Sequence, residues 1–158
     1  MALVITEFMK NLETSLPISI FGTDIADKAV SNAQKAIYRP ESLNNIRFEF
    51  LKYFEQKGDT FTLKKHIRQL VSFSKYDLMD KKSYCPPESV FGNFDLVLCR
   101  NVLIYYDTVF QNRVFSKLYK SLNQRGYLIL GETEMLTPEY QTRFKKVNEC
   151  CNIFQKIE

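Results

Sequence analysis

The sequence has no tryptophan, a single histidine and only five glycines among its 158 residues. Its four cysteines show no CxxC motif and no paired spacing, so a zinc site or a Cys-His nucleophile is poorly supported. The lone His66 lies in the basic stretch KKHIR and is most simply a solvated side chain. We therefore expect no metal site.

Long apolar runs are missing as well. No stretch approaches the roughly 20 apolar residues that are needed to cross a bilayer. The N-terminal segment MALVITEFMKNLETSLP lacks a basic start, and Glu7 and Lys10 stand at helical spacing. It is predicted as an amphipathic helix with Val4, Phe8 and Leu12 on one face, rather than as a signal peptide. These features predict a cytoplasmic protein that is not inserted in a membrane.

The charge of the chain is only mildly positive. The net charge is +4, the lysines are scattered, and no nucleic-acid-binding motif is present, so we expect no nucleic-acid partner. A slightly basic surface suits an acidic protein partner, and it suits simple solubility equally well.

The composition is that of an ordinary globular protein. Hydrophobic residues make up 45% and charged residues 25% of the chain. A chain of this length can bury a core without disulfides or metal. There are no internal repeats, low-complexity tracts or Pro/Gly-rich linkers, so a single domain over residues 1–158 is predicted.

Short apolar strands alternate with helices along the chain. The predicted strands are ISIFGTD, a short run from Phe61 to Lys64, a run ending near Asp77, FDLVLC, YLILGE and the two strands of a terminal hairpin. The predicted helices run from Asp27 through Ile37, from Leu43 to Gln56, and from an N-cap at Asp107 to Gly126, and residues 79–93 are predicted as a loop. This order indicates an α/β layered fold with a mainly parallel sheet.

Polar residues stand at the ends of three predicted strands. In a parallel sheet, ligands bind beyond the carboxyl ends of the strands, where Asp24, Asp77 and Arg100 would lie. Arg100 and Asn101 follow the apolar run FDLVLC directly, and burying an unpaired guanidinium is very costly. We therefore expect the strand to end before Arg100, which then meets an anionic or acceptor-rich partner. The alternative is a salt bridge to Asp95 or to a loop carboxylate.

The other candidates are weaker when they are taken alone. Asp24 can accept hydrogen bonds from the hydroxyls of a ribose, or it can equally cap the next helix. The pair Asp77 and Leu78 offers an acceptor beside an apolar side chain, which suits an adenine. At least one of Tyr105 and Tyr106 should face the crevice, although ordinary packing of either ring is the alternative.

The segment CRNVLIYYD, preceded by FDLVL and followed by a helix and GYLILGETE, resembles the signature of CheR-type chemotaxis-receptor methyltransferases. The segments FGTDI and AIYRPESL and the C-terminal tail are similar to other parts of that family, so the resemblance covers essentially the whole chain. It implies a class I, Rossmann-like fold that depends on S-adenosylmethionine. It also implies a small inserted β-subdomain at about residues 58–73 and a C-terminal hairpin.

The resemblance implies roles in binding the methyl donor. Asp24 matches the residue that binds the ribose. Asp77 and Leu78 match residues that contact the adenine, although the family often has Asn at the position of Asp77. Arg100 and Asn101 match residues that line the donor site.

The resemblance also implies a reaction, the methylation of glutamate side chains of chemotaxis receptors in their cytoplasmic region. Tyr105 matches the tyrosine close to the transferred methyl group, and Arg100 is the second implied catalytic residue. A glutamate side chain is already anionic at neutral pH, so this reaction requires no general base.

The chain departs from the family at its N-terminus. The family's N-terminal helical domain, its first strand and its glycine-containing loop precede the helix that opens this sequence. Without that strand, ISIFGTD and FDLVLC would each have an unpaired apolar edge, which favours self-association. We therefore expect weak or absent donor affinity unless the missing segment is supplied.

Two other functions stay open. The chain is alternatively a non-catalytic module with a defective donor site, in which a hairpin between Thr60 and Phe73 binds a receptor or another partner. A third interpretation is a methyltransferase of the same fold that acts on another protein or on a small molecule.

Overall fold

The structure, a computed structural model, describes residues 1–12, 16–89 and 92–157. The chain divides into two compact units, with the boundary between Tyr76 and Asp77. Both units combine helices with strands, so the predicted α/β class is confirmed. Within the described ranges, no helix is long and apolar enough to span a bilayer. The single domain over residues 1–158 stays a prediction.

The first unit contains a parallel strand pair and a small antiparallel sheet. Its helices and strands are α1 (Ala2–Asn11), β1 (Ile20–Asp24), α2 (Asp27–Lys35), β2 (Ile37–Tyr38), β3 (Phe54–Lys57), β4 (Thr60–Leu63), α3 (Lys65–Arg68) and β5 (Val71–Lys75). Strands β1 and β5 are parallel, with Asp24 opposite Lys75 at their carboxyl ends. The other three strands form an antiparallel sheet in the order β2-β4-β3.

The small antiparallel sheet only partly overlaps the predicted residues 58–73, because β4 lies within them whereas β2 and β3 precede them. Strands β3 and β4 are joined at Gly58, whose φ of 57° lies in the left-handed region that glycine adopts most easily. The predicted hairpin between Thr60 and Phe73 is wrong, because residues 71–75 pair in parallel with β1. The alternating pattern of that segment fits a parallel strand as well as a hairpin strand.

Two predicted helices are also shorter or different in the structure. Helix α2 ends at Lys35, because Ala36 has a left-handed backbone with φ of 50° and Ile37 already belongs to β2. The helix predicted from Leu43 to Gln56 is replaced by 3-10 turns at Pro40–Leu43 and Phe48–Tyr53, followed by β3. Its buried aromatic residues are three positions apart, which matches the three-residue period of a 3-10 helix.

The second unit is built on a four-stranded sheet. It contains β6 (Phe94–Cys99), a 3-10 turn (Leu103–Tyr105), α4 (Thr108–Ser121), β7 (Leu122–Leu130), α5 (Pro138–Gln141), β8 (Phe144–Lys146) and β9 (Ile153–Lys156). The strand order is β6-β7-β9-β8, with β6 parallel to β7 and the other pairs antiparallel. The predicted terminal hairpin, β8 and β9, is thus confirmed. No helix or strand occurs in the described part of the predicted loop 79–93, of which Val90 and Phe91 lie outside the described residues.

Helix α4 connects the two parallel strands of the second unit. The side chain of Asp107 accepts a hydrogen bond of 2.9 Å from the backbone N–H of Phe110, which confirms the predicted N-cap. Val114 and Phe115 of this helix are fully buried in the core of the unit. The helix ends at Ser121, before the predicted Gly126, because β7 begins at the next residue.

Strands β1 and β6 are edge strands in the described part of the chain. Within the described ranges, β1 pairs only with β5, and β6 pairs only with β7. ISIFGTD and FDLVLC thus each have a strand partner on one side only, as predicted, among these residues. The self-association that such edges favour stays a prediction.

Candidate functional site

The candidate site of the second unit lies at the carboxyl ends of β6 and β7. Cys99 is opposite Leu130 in this parallel pair, so the loops that begin at Arg100 and Gly131 leave the same edge of the sheet. In open α/β sheets this edge is where ligands bind. The strand ends at Cys99, as predicted, and Arg100 begins a loop that leads to α4. We call residues 100–106 the β6–α4 loop.

Arg100 is not buried in the apolar sheet. Its side chain is 50% exposed, and its Nη2 atom lies 4.0 Å from Oε1 of Glu132, which is itself 94% exposed. An ion pair at this distance and exposure contributes little to stability. Glu132 lies in the loop after β7, so this contact is the salt bridge to a loop carboxylate that was one alternative for Arg100. The other alternative partner, Asp95, accepts a hydrogen bond of 2.7 Å from Asn123 instead. The guanidinium is thus accessible to an anionic ligand.

Glu134 is a residue of this site that sequence reasoning missed. It is only 3% exposed. Its carboxylate accepts hydrogen bonds from the backbone N–H groups of Asn101 at 2.9 Å, Val102 at 2.8 Å and Leu103 at 2.7 Å. It also accepts one of 2.7 Å from the N–H of Gly131. One buried carboxylate therefore joins the two loops that leave the sheet edge.

The electrostatics of the site keep this carboxylate charged. Burial by itself raises the pKa of Glu134, but the four backbone N–H donors outweigh burial and hold the pKa below its ordinary value. Burial, followed by the negative charge of Glu134, raises the pKa of the neighbouring Cys99 thiol to about 12. Cys99 is thus protonated at neutral pH and unsuited to act as a nucleophile.

Asn152 holds the loop that follows β7 through the backbone carbonyl groups of that loop. Its amide nitrogen donates to the carbonyl oxygens of Gly131 at 2.9 Å, Glu132 at 3.1 Å and Glu134 at 2.8 Å. A Cβ atom at position 131 would lie 2.6 Å from Oδ1 of Asn101 and 2.7 Å from a carboxylate oxygen of Glu134. Glycine is therefore the residue that lets the two loops approach so closely.

Gln111 of α4 fixes the far end of the β6–α4 loop. Its amide nitrogen donates to the carbonyl oxygens of Leu103 at 3.1 Å and Tyr106 at 3.0 Å. Leu103 is buried in the core, whereas Tyr105 is 79% exposed. Of the two tyrosines, at least one of which was predicted to face the crevice, Tyr105 is the accessible one, since the ring of Tyr106 lies against Phe110.

Asn101 has an unusual backbone. Its φ of 59° lies in the left-handed region, which asparagine tolerates better than most residues. Together with Arg100 and Tyr105 it belongs to the same loop, so the structure brings these three predicted site residues together.

Asp77 and Leu78 lie in the loop that opens the second unit. Oδ1 of Asp77 accepts a hydrogen bond of 2.7 Å from the N–H of Met79, and Nζ of Lys117 lies 3.3 Å from the carbonyl oxygen of Asp77. Leu78 packs against the core of the unit. Burial lowers the pKa of Lys117, although the carboxylates of Asp80 and Asp77 oppose this shift. The buried Lys117 thus holds the backbone of this loop.

Asp24 belongs to the first unit, at the carboxyl end of β1. Its Oδ1 accepts a hydrogen bond of 2.8 Å from the N–H of Ala26, and its carbonyl oxygen accepts one of 3.0 Å from Tyr76. The N-cap position of α2 is occupied by Ala26, so the capping role that was the alternative for Asp24 is not the one observed. The carboxylate is exposed to solvent.

Comparison with known proteins supplies an independent line of information. The profile of the family described as "CheR methyltransferase, SAM binding domain" matches residues 1–152. A chemotaxis protein methyltransferase of Borreliella burgdorferi is 31% identical over 137 residues, which are 85% of this chain and 47% of the relative. Chemotaxis protein methyltransferase 1 of Vibrio cholerae is 36% identical over 141 residues, 87% of this chain and 49% of the relative. The chain spans about half the length of these curated relatives.

Proposed function

Because this chain belongs to the family of the CheR methyltransferase SAM-binding domain, we propose that it uses S-adenosylmethionine to methylate glutamate side chains of chemotaxis receptors. The proposal rests on one observation, namely that the side chains of Arg100 and Tyr105 on the β6–α4 loop are accessible. This loop lies within the matched residues and at the sheet edge where α/β folds bind ligands. The receptor's cytoplasmic region is the proposed substrate, which makes the cytoplasm the proposed location.

The residues of the loop fit the chemistry of this donor. The donor carries a carboxylate, to which a half-exposed guanidinium such as that of Arg100 can donate two parallel hydrogen bonds. It also carries a positively charged sulfonium, and an exposed aromatic ring such as that of Tyr105 attracts cations over its face. Asp77 and Leu78 are the proposed contacts of the adenine, and Asp24 is the proposed ligand of the ribose.

The proposed reaction makes few demands on the chain. When bound, the donor supplies an electrophilic methyl group. A glutamate carboxylate with a pKa of about 4.3 is ionised at neutral pH and attacks without the help of a base. The residues of the site have to align that carboxylate and exclude water, for which a rigid loop is better suited than a mobile one. The protonated Cys99 takes no part in this step.

A methyl-ester assay tests the proposal. The chain is incubated with a receptor fragment that contains the methyl-accepting glutamates and with donor that is labelled in its methyl group. We expect label on the fragment that alkali releases as methanol and that is lost when those glutamates are replaced by alanine. Tyr105→Ala should lower the rate at least tenfold, whereas the control Tyr84→Ala, which changes another exposed tyrosine of the same unit, should not.

Two outcomes would contradict the proposal. A folded chain that neither binds the donor nor transfers its methyl group would favour the non-catalytic binding module. Transfer of label that resists alkali, or that persists on a fragment without glutamates, would indicate a methyltransferase with a different substrate.

A further inference from the structure

The backbone of the β6–α4 loop forms an anion-binding concavity that the protein fills itself. Asn101 has a left-handed backbone with φ of 59°, and Val102 has a right-handed one with φ of −114° and ψ of −44°. Alternation of this kind points successive N–H groups to the same side, which creates a nest for an anion. In this structure the anion is the carboxylate of Glu134, which receives three consecutive N–H groups of the loop.

The accessible side chains of the proposed donor site flank this nest. Arg100 immediately precedes the three bound N–H groups, and Tyr105 lies in the 3-10 turn that Leu103 begins. The direction in which both side chains leave the backbone is therefore set by how the nest is held. Gln111 binds the carbonyl oxygens at the end of the same loop, so the loop is anchored at both ends.

We propose that Glu134 is a positioning residue of the donor site, whose carboxylate fixes the β6–α4 loop so that Arg100, Asn101 and Tyr105 are presented to the donor in one arrangement. This inference rests on the proposed function. Glu134 acts through the loop and not by touching the substrate, because it is buried and its carboxylate is occupied by four backbone donors.

Only a carboxylate of this length satisfies the loop. A carboxylate offers about four acceptor positions, whereas a glutamine amide offers one oxygen, and its NH2 group would itself face backbone N–H donors. Glu134→Gln therefore leaves buried N–H groups without an acceptor. Glu134→Asp keeps the charge, but it is one methylene shorter and loses reach to one of the two loops.

The experiment compares the parent chain with Glu134→Gln, Glu134→Asp and the control Glu139→Gln, which makes the same chemical change on an exposed residue of the same unit. Backbone amide exchange is measured by NMR, and S-adenosylhomocysteine is titrated by calorimetry. In Glu134→Gln we expect the amides of residues 101–103 and 131 to exchange at least tenfold faster relative to those of the β7–β9 pair. We also expect its dissociation constant for S-adenosylhomocysteine to rise at least tenfold. Glu134→Asp should be intermediate and Glu139→Gln unchanged.

A second variant tests the proposal even if Glu134→Gln does not fold. Gln111→Met is close in size and removes the two bonds to the loop carbonyls without leaving a buried charge unpaired. It should speed the exchange of the amides of the loop and weaken ligand binding in the same direction as Glu134→Gln. Unchanged ligand affinity in a folded Gln111→Met that exchanges faster would overturn the proposal.

The two readouts separate this inference from the proposed function. Faster exchange in Glu134→Gln with unchanged ligand affinity would make Glu134 a purely structural residue and overturn the inference. Unchanged exchange would overturn it as well. A parent chain that is folded but binds no S-adenosylhomocysteine would contradict the proposed function, while the exchange rates would still decide whether Glu134 holds the loop.

Discussion

Replacement of Gly131 by alanine should break the contact between the two loops of the site. The new Cβ atom would lie 2.6 Å from Oδ1 of Asn101, 2.7 Å from a carboxylate oxygen of Glu134 and 3.0 Å from the backbone nitrogen of Asn101. The carboxylate of Glu134 and the backbone nitrogen of Asn101 cannot move without losing a hydrogen bond, because that nitrogen is one of the four donors that hold the carboxylate.

The magnitude follows from the bonds at risk. Losing one hydrogen bond to a charged group costs about 1.5–3 kcal/mol. Overpacking a buried site adds about 1–3 kcal/mol. The free energy of unfolding should therefore fall by about 2.5–6 kcal/mol, a large share of the roughly 5–15 kcal/mol that stabilises a typical domain.

The matched control is Gly58→Ala. A Cβ atom at Gly58 meets no atom within 4 Å, and only the left-handed φ of 57° opposes the change. This control should cost about 1–2 kcal/mol. Urea unfolding followed by far-UV circular dichroism measures both variants, with equal m-values as the condition for comparison. A Gly131→Ala chain that loses no more stability than Gly58→Ala would refute the reasoning.

Three further predictions concern single groups of the second unit. Because the folded pKa of Glu134 lies below its unfolded value, its stabilising contribution is complete above the unfolded pKa and is lost as the pH falls through the folded pKa. As the pH is lowered from neutral, the free energy of unfolding should therefore fall less steeply in Glu134→Gln than in the parent chain. Equal slopes would contradict the account. Asp107→Ala should lower the free energy of unfolding by about 0.5–2 kcal/mol, because it removes the N-cap of α4. Urea unfolding measures this change, and an unchanged free energy of unfolding would mean that the cap contributes nothing. Iodoacetamide at pH 8 should modify the exposed Cys150 and Cys151, whereas Cys99 in the native chain should react slowly because it is buried and its pKa is about 12. Mass spectrometry identifies the modified residues. Rapid modification of Cys99 would be inconsistent with its burial.

Much of the second unit could be predicted from local sequence. The end of β6 at Cys99 follows from the cost of burying the guanidinium of Arg100, and the start of α4 follows from the capping chemistry of Asp107. Both depend on residues within a few positions of each other. The terminal hairpin is equally local, since β8 and β9 are joined by a short polar segment.

The role of Glu134 could not be predicted in this way. The residue binds Asn101 across 33 positions of sequence, and the two meet only because β6 and β7 are parallel with Cys99 opposite Leu130. The motif GETE contains two glutamates, and nothing in their spacing indicates that Glu134 is buried while Glu132 is exposed. The sequence did contain one indication, because an acidic residue stands beside the end of an apolar strand. A carboxylate that is buried there requires hydrogen-bond donors from elsewhere in the chain.

The prediction for the segment between β2 and β4 failed for a different reason. Residues 43–56 carry so many apolar side chains that no single period stands out, and a helix was predicted where 3-10 turns and β3 occur. Tertiary packing decided the outcome, because Phe50 and Tyr53 form a buried cluster with Ile67 of α3.

The most direct test of the central claim is calorimetric titration of the folded chain with S-adenosylhomocysteine. In contrast to the weak or absent affinity expected from the sequence alone, the account predicts binding of one ligand per chain, with an affinity that falls at least tenfold in Arg100→Gln. The control Arg113→Gln, which removes the same charge from an exposed position of α4, should bind as the parent does. Binding that is absent in the folded parent, or that is equally strong in both variants, would contradict a methyl-donor site at the β6–α4 loop.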